Sequence, residues 1–123
     1  MILNWNPTPA GIPQTREVAV RLPWYPVLVH GPSMVPTLRH GDALLVRRGG
    51  RVRPGDVVVA RFRSAPDLPV VKRAVRPDGT GWWLLGDNEF VTSDSRSYGV
   101  ADVDGRVVVR WWPRPGRIRN PTV

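Results

Sequence analysis

The sequence predicts an all-β domain of short, mostly antiparallel strands, and three observations carry that prediction. Glycine (12) and proline (14) lie scattered through 123 residues, between short apolar runs. Such frequent chain-breakers favour turns and leave little room for long helices. The apolar runs are rich in Val, Leu and Trp, and they recur about every 10–15 residues with turn residues between them. No segment between them shows a helical period. With 41% hydrophobic and 23% charged residues the chain is globular, and its length suits one domain.

Taken in order, residues 1–15 are polar and carry Pro7, Pro9 and Pro13, so they are expected to form a flexible N-terminal segment. Val18, Val20 and Leu22 alternate with Ala19 and Arg21, the pattern of a half-buried strand. Residues 26–30 read as a second strand, and the turn-rich stretch 31–37 follows. Residues 43–48 form the next strand, closed by Gly49-Gly50. Pro54-Gly55-Asp56 is a turn signal leading into a strand over 57–63 and a loop over 64–69. Residues 70–76 are a strand ending at the turn Pro77-Asp78-Gly79, and 82–85 are short and apolar. A polar loop with one helical turn is expected over 86–99, and the last strand over 106–112. One domain therefore spans 16–112, and 113–123 form a basic, flexible tail.

Composition removes several chemistries. Without cysteine there are no disulfides, thiolate zinc sites or cysteine nucleophiles. Two histidines, His30 and His40, are too few for most histidine metal sites, and no metal or cofactor is expected. No apolar stretch approaches the roughly 20 residues of a spanning helix. The first residues lack the basic and apolar regions of a signal peptide, so the expected location is cytoplasmic, without membrane contact.

The charge balance is +8, and of the 18 basic residues only Lys72 is a lysine. Arginine stays protonated in proteins, whereas a buried lysine can lose its proton. In Val70-Val71-Lys72-Arg73-Ala74-Val75 the strand period places Val70, Lys72 and Ala74 on one face. A lysine among small apolar neighbours is desolvated and its pKa falls. The plainer alternative is a lysine extending to water from a sheet edge. Two other segments stand out. Residues 31–38, Gly-Pro-Ser-Met-Val-Pro-Thr-Leu, hold Ser33 in a tight backbone. Residues 86–99 gather Gly86-Asp87-Asn88, Thr92, Ser93, Asp94, Ser95, Arg96 and Gly99 in one loop. Each alone reads most simply as a turn or a surface loop.

Together these segments resemble the type I signal peptidase family of serine–lysine proteases, whose catalytic β-domain is shared with LexA-like proteins. The family's nucleophile box, G-x-S-M-x-P-T-L, is matched by residues 31–38. A Gly-Asp before a strand is matched by Gly41-Asp42 and residues 43–46. The K-R base box is matched by Lys72-Arg73, and the G-D-N…S-x-D-S-R…G box by Gly86-Asp87-Asn88, residues 92–96 and Gly99. The resemblance implies that Ser33 is the nucleophile and Lys72 the general base. It implies that Thr92 stands where a serine often bonds the lysine amine. Asp94 and Arg96 would be the bracing ion pair, with Ser95 in the same brace. Val29, His30, Gly31 and Met34 are the expected substrate-binding residues. Residues 27–30 are expected to pair with an extended substrate along their edge.

This chain departs from the pattern at Gly31, where some members place an oxyanion-hole serine. Pro32 has no N–H, which leaves the Ser33 N–H as the named donor. One such donor is worth about 3–4 kcal/mol, so low turnover is expected. Secretory members are membrane-tethered and many carry a larger second β-domain. The chain resembles instead the small soluble branch described as nickel-type superoxide dismutase maturation proteases. The implied partner is a precursor protein with a cleavable N-terminal leader, most simply a nickel-type superoxide dismutase precursor. General processing of exported proteins is the alternative.

Three rival readings remain. A basic nucleic-acid-binding β-module would use the arginines and six tryptophans, but the arginines are spread along every strand, and no nucleic-acid partner is expected. A LexA-like self-cleaving protein would cut at Ala10-Gly11, upstream of Ser33. A Ser–His–Asp triad would draw on His30 or His40 with Asp42, but residues this close in sequence rarely align as a triad.

Overall fold

The computed structural model describes residues 2–4, 22–118 and 120 of the chain. Eight strands and one helical turn follow in order: β1 (Ile2–Asn4), β2 (Trp24–Val29), β3 (Ala43–Arg48), β4 (Val57–Phe62), β5 (Ala65–Asp78), β6 (Gly81–Leu85), α1 (Ser95–Tyr98), β7 (Ala101–Trp112) and β8 (Gly116–Arg117). All pairings are antiparallel. The all-β prediction holds, and β3 has the predicted bounds.

The strand order is β1-β2-β3-β7-β4-β5-β6, with β8 on β7. β6 also pairs with β7 at Trp82 and Ala101, so β7-β4-β5-β6 closes on itself. β7 is long enough to serve both halves. Its first part lines the closed ring with β4, and its second part pairs with β3 and β8. The crossing is tight at Gly105, where a Cβ would meet the Arg47 carbonyl oxygen at 2.7 Å. Only glycine fits there without moving backbone.

Alternation divides the core in two. Val57 and Val59 of β4 and Val71 of β5 pack with Val27, Val29, Met34, Leu38, Leu44, Val46 and Val107. Val58, Ala60 and Phe62 face the other way, with Ala74, Leu84 and Ala101. β4 is thus buried on both faces, which is why it reads as a continuous apolar run. Lys72 lies opposite Val58 in the ladder and shares a face with Val70 and Ala74.

Two strands are longer than the sequence suggested. β5 begins at Ala65, inside the expected loop, because Pro66 and Pro69 are accommodated in an extended edge segment. β7 begins at Ala101, where Asp102 and Asp104 point outward between inward residues. The candidate strand at Val18, Val20 and Leu22 lies outside the described residues except for Leu22, which is exposed and not in a strand. Of the N-terminal segment, Ile2–Asn4 pair with β2, and of the tail, Gly116–Arg117 pair with β7.

Candidate active site

β2 runs toward the turn that carries Ser33, and β5 carries Lys72; both residues line one cavity of about 270 Å³. Around them stand His30, Gly31 and Pro32 from the turn, Ala65, Leu68 and Val70 from β5, and Phe62 from β4. Val91, Ser93 and Tyr98 close the third side. Tyr98 stacks on Phe62 with ring centroids 5.1 Å apart, which ties α1 to the floor of the cavity.

Lys72 is among the largest fully buried side chains of the protein, with 2% exposure. Burial pushes its pKa down from 10.5; the Asp94 carboxylate draws it partly back, and Arg96 pushes it down further. The amine is therefore easier to deprotonate than a surface lysine. The alternative of a lysine extending into water from a sheet edge is excluded by that burial.

The Gly-Asp-Asn segment fastens the Ser33 turn. A Cβ on Gly86 would lie 2.7 Å from the Ser33 carbonyl oxygen and 3.6 Å from Lys72 Nζ. Glycine at this position lets the chain at the end of β6 approach Ser33 and Lys72 at once. Asn88 N donates to Ser33 O at 3.0 Å, and Asn88 Nδ2 donates to Pro32 O at 3.0 Å. Asp87 accepts from the Thr37 hydroxyl and, through both carboxylate oxygens, from Arg73 Nε and Nη2 at 3.1 and 2.6 Å. The strand alternation that sends Lys72 inward thus sends its neighbour Arg73 to the carboxylate that holds the Ser33 turn. The sequence quoted these residues as motif members but gave Arg73, Asp87 and Asn88 no separate task.

Asp94 and Arg96 do form an ion pair, Nη2 to Oδ2 at 2.8 Å. Asp94 is fully buried and caps α1, accepting from Arg96 N at 3.1 Å and from Gly86 N at 2.9 Å. Burial pushes its pKa up, but the bonds from Arg96 and Gly86 outweigh it and hold the carboxyl below its ordinary value. Ser95 Oγ accepts from Leu84 N at 2.7 Å, a second tie between the loop and β6.

Three expected positions differ. Thr92 is exposed, and its carbonyl accepts from Asp94 N and from Ser97 Oγ. Its neighbour Ser93, also exposed, is the hydroxyl residue of the loop that lines the cavity shared with Lys72. Val29 and Met34 do not line the cavity. Val27 and Val29 alternate inward along β2, and Met34 is buried beneath the turn, where its sulfur accepts from Asp87 N at 3.4 Å. His30 and Gly31 do line it. Phe62, Leu68 and Tyr98 had no site signal in the sequence, because they are distant apolar residues that only folding gathers.

The Gly31 amide donates to His40 Nδ1 at 3.1 Å, and His40 packs edge-on against His30 with centroids 4.7 Å apart. With Pro32 lacking a hydrogen, the Ser33 amide is the remaining donor of that trio. Asp42 accepts from Arg39 N at 2.8 Å and Arg110 Nη1 at 3.3 Å. Its carboxylate serves the turn and β7, which argues against a triad built on Asp42.

The β-domain thus buries a lysine in a cavity that a serine-bearing turn also lines. Residues 16–108 match the Peptidase S24-like family, and the chain belongs to it. It is 32% identical over 114 residues to mitochondrial inner membrane protease subunit 1 of Xenopus tropicalis, covering 71% of this chain and 68% of that one. It is 31% identical over 115 residues to mitochondrial ATP-independent inner membrane protease subunit 1a of Arabidopsis thaliana, covering 69% and 68%. A shorter match, 39% over 66 residues, joins it to signal peptidase IB of Staphylococcus aureus strain Mu50, covering 50% of this chain and 34% of that one. These similarities support a peptidase of signal-peptidase type acting on a protein substrate. Among the described residues no helix is long and apolar enough to cross a membrane.

Proposed function

We propose that the protein is a serine endopeptidase with a Ser33–Lys72 dyad that removes an N-terminal leader from a precursor protein. The observation that carries the reading is the burial of the chain's one lysine beside Ser33 in a shared cavity. A hydroxyl needs an adjacent base to attack an amide, and a neutral amine serves. In the proposed reaction Lys72 Nζ takes the Ser33 proton as Oγ bonds to the scissile carbonyl carbon. The same amine then gives that proton to the departing nitrogen as the peptide bond breaks. Lys72 next deprotonates the water that attacks the acyl carbon, and returns that proton to Ser33 Oγ as the ester bond breaks. The Ser33 amide is assigned to the developing oxyanion. Asp94, Ser95 and Arg96 are assigned to holding the loop under Lys72, and Ser93 takes the hydroxyl role first expected of Thr92. His30 and Gly31 are assigned to the substrate wall.

The apolar walls given by Leu68, Val70 and Phe62 suit small apolar side chains just before the cut. A nickel-type superoxide dismutase precursor met in the cytoplasm is the proposed substrate, on the resemblance of the motif boxes. Removing a leader from it would free an N-terminal amine, which an amide nitrogen inside a chain cannot supply to a metal. General signal-peptide processing is the second reading, favoured by the similarity to signal peptidase IB.

Coexpression with such a precursor, read by N-terminal mass spectrometry, separates the two substrates. The dyad itself is tested by Ser33→Ala, Lys72→Ala and Lys72→Arg on a leader peptide carrying Ala-x-Ala before the cut. All three are expected to be inactive, because arginine keeps the charge and never offers a neutral amine. The parent rate should rise with pH through an apparent pKa below that of free lysine. An active Lys72→Arg protein, or a flat profile between about pH 6 and 9, would overturn the dyad.

A further inference from the structure

The edge of β2 that leads to Ser33 has an occupant within the chain. Ile2 stands opposite Val29, Leu3 opposite Leu28 and Asn4 opposite Val27. β1 also borders β5, the strand that carries Lys72. It therefore lies where the turn-side and lysine-side strands of the cavity approach one another. An antiparallel neighbour uses the same edge amides and carbonyls that an incoming extended peptide would need, so the two cannot pair with that edge together.

Polarity distinguishes this occupant from something presented for cutting. β1 runs opposite to β2, so Ile2 lies nearer the nucleophile turn than Asn4. Each successive residue of β1 recedes from Ser33. The strand covers the edge without carrying the bonds between residues 2 and 4 toward the hydroxyl. Its length also matters: three residues form a short ladder, easily exchanged for a longer one.

We infer that Ile2–Asn4 is a built-in competitor, a strand that closes the peptide-binding edge of β2 and must be displaced before an extended peptide can pair there. The inference rests on the endopeptidase reading only for what the incoming peptide is; the competition for the edge does not depend on hydrolysis. A cleft filled nine-tenths of the time weakens apparent peptide affinity about tenfold.

The test uses the full chain and a fluorescein-labelled synthetic copy of residues 1–8 as the probe. In an Ile2→Pro/Leu3→Pro double variant, whichever of the two amides faces β2 is removed, since successive amides alternate sides. The variant, checked by melting to be folded, is expected to bind the probe about tenfold tighter than the parent. On the Ala-x-Ala leader peptide its KM should fall by the same factor with kcat unchanged. In the parent, saturating probe should accelerate hydrogen exchange at residues 2–4, a reading that does not need the variant to fold. Equal probe affinity in parent and variant, or exchange at residues 2–4 unaffected by bound probe, overturns the inference. Tighter probe binding in the variant with no hydrolysis by either protein would sustain the competitor strand and sink the endopeptidase reading.

Discussion

Asp94 and Asp102 each hold an arginine at 2.8 Å, yet one side chain is 0% exposed and the other 61%. The ion-pair distance does not separate them; the remaining partners do. Asp94 also accepts from the Gly86 and Arg96 amides, so it joins the end of β6 to α1 beneath Lys72. Asp102 accepts only from the Arg63 guanidinium among the described residues, on the outer side of β4 and β7. Asp87 falls between them, with side-chain exposure of 18%, an arginine and the Thr37 hydroxyl. Carboxylates that tie backbone to backbone fix geometry, whereas a surface ion pair exchanges one solvation for another. Of the three, Asp94 alone accepts from backbone amides, and it does so beneath Lys72, whereas Asp87 joins side chains of the Ser33 turn and β5.

The largest expected effect is at Asp94. Asp94→Ala strands the part-buried Gly86 and Arg96 amides and leaves Arg96 without its carboxylate, a loss of about 1–3 kcal/mol for unsatisfied groups. Thermal melting should show that loss, and leader-peptide hydrolysis should fall well below the parent. The same change removes the charge that holds the Lys72 pKa up, so any residual rate should rise with pH at a lower value than in the parent. The folded carboxyl lies below its ordinary value. Its contribution is therefore complete above about pH 4, the unfolded value, and is lost as pH falls through the folded pKa. The parent should lose this margin in acid, and Asp94→Ala should not. A parent and variant with the same melting temperature at pH 7 would remove Asp94 from the brace.

Asp87→Ala tests the middle case. It removes the carboxylate that the Thr37 hydroxyl and Arg73 donate to, while Arg73 keeps Gly55 O and Asn88 still bonds Ser33 O and Pro32 O. The stability loss should be about 1–2 kcal/mol, since three bonds to a charged group go but water reaches the partners of this partly exposed carboxylate. Activity should suffer more than stability, because the turn that positions Ser33 is the part released. An Asp87→Ala protein with full activity and a lowered melting temperature would make this tie structural only.

How far the sequence foretold these layers depends on what kind of pattern carried them. Period-two alternation and turn residues were enough for the β-class, for β3 and for the inward face of Lys72. Motif spacing was enough to bring Ser33, Lys72 and Asp94 into one argument. It pointed to Thr92, whereas Ser93 lines the cavity, because a loop has no fixed period that says which side chain faces inward. Nor did it see that Val29 and Met34 turn into the core. Adjacency to Ser33 along the chain does not imply adjacency to the cavity, because strand alternation sends Val29 inward. The pairing of Ile2–Asn4 with β2 was invisible for a different reason. A three-residue strand has too little pattern to register, and its partner edge is made by residues more than twenty positions away.

The smallest effect should come from Asp102→Ala, which makes it the control for the whole comparison. The Arg63 hydrogen bond is the largest influence on the Asp102 carboxyl and lowers its pKa, the same direction as at Asp94. Direction alone would therefore rank the two aspartates together. Exposure separates them: water replaces what Arg63 loses, and Arg63 keeps its bond to Thr80 Oγ1 at 2.8 Å. No backbone amide is stranded, and the residue lies outside the cavity that holds Ser33 and Lys72. Melting temperature and leader-peptide hydrolysis of Asp102→Ala should both match the parent, with equal sensitivity to salt. A loss as large as that of Asp94→Ala would mean that the ion pair, rather than the backbone ties beside it, sets the energetic difference between the two sites.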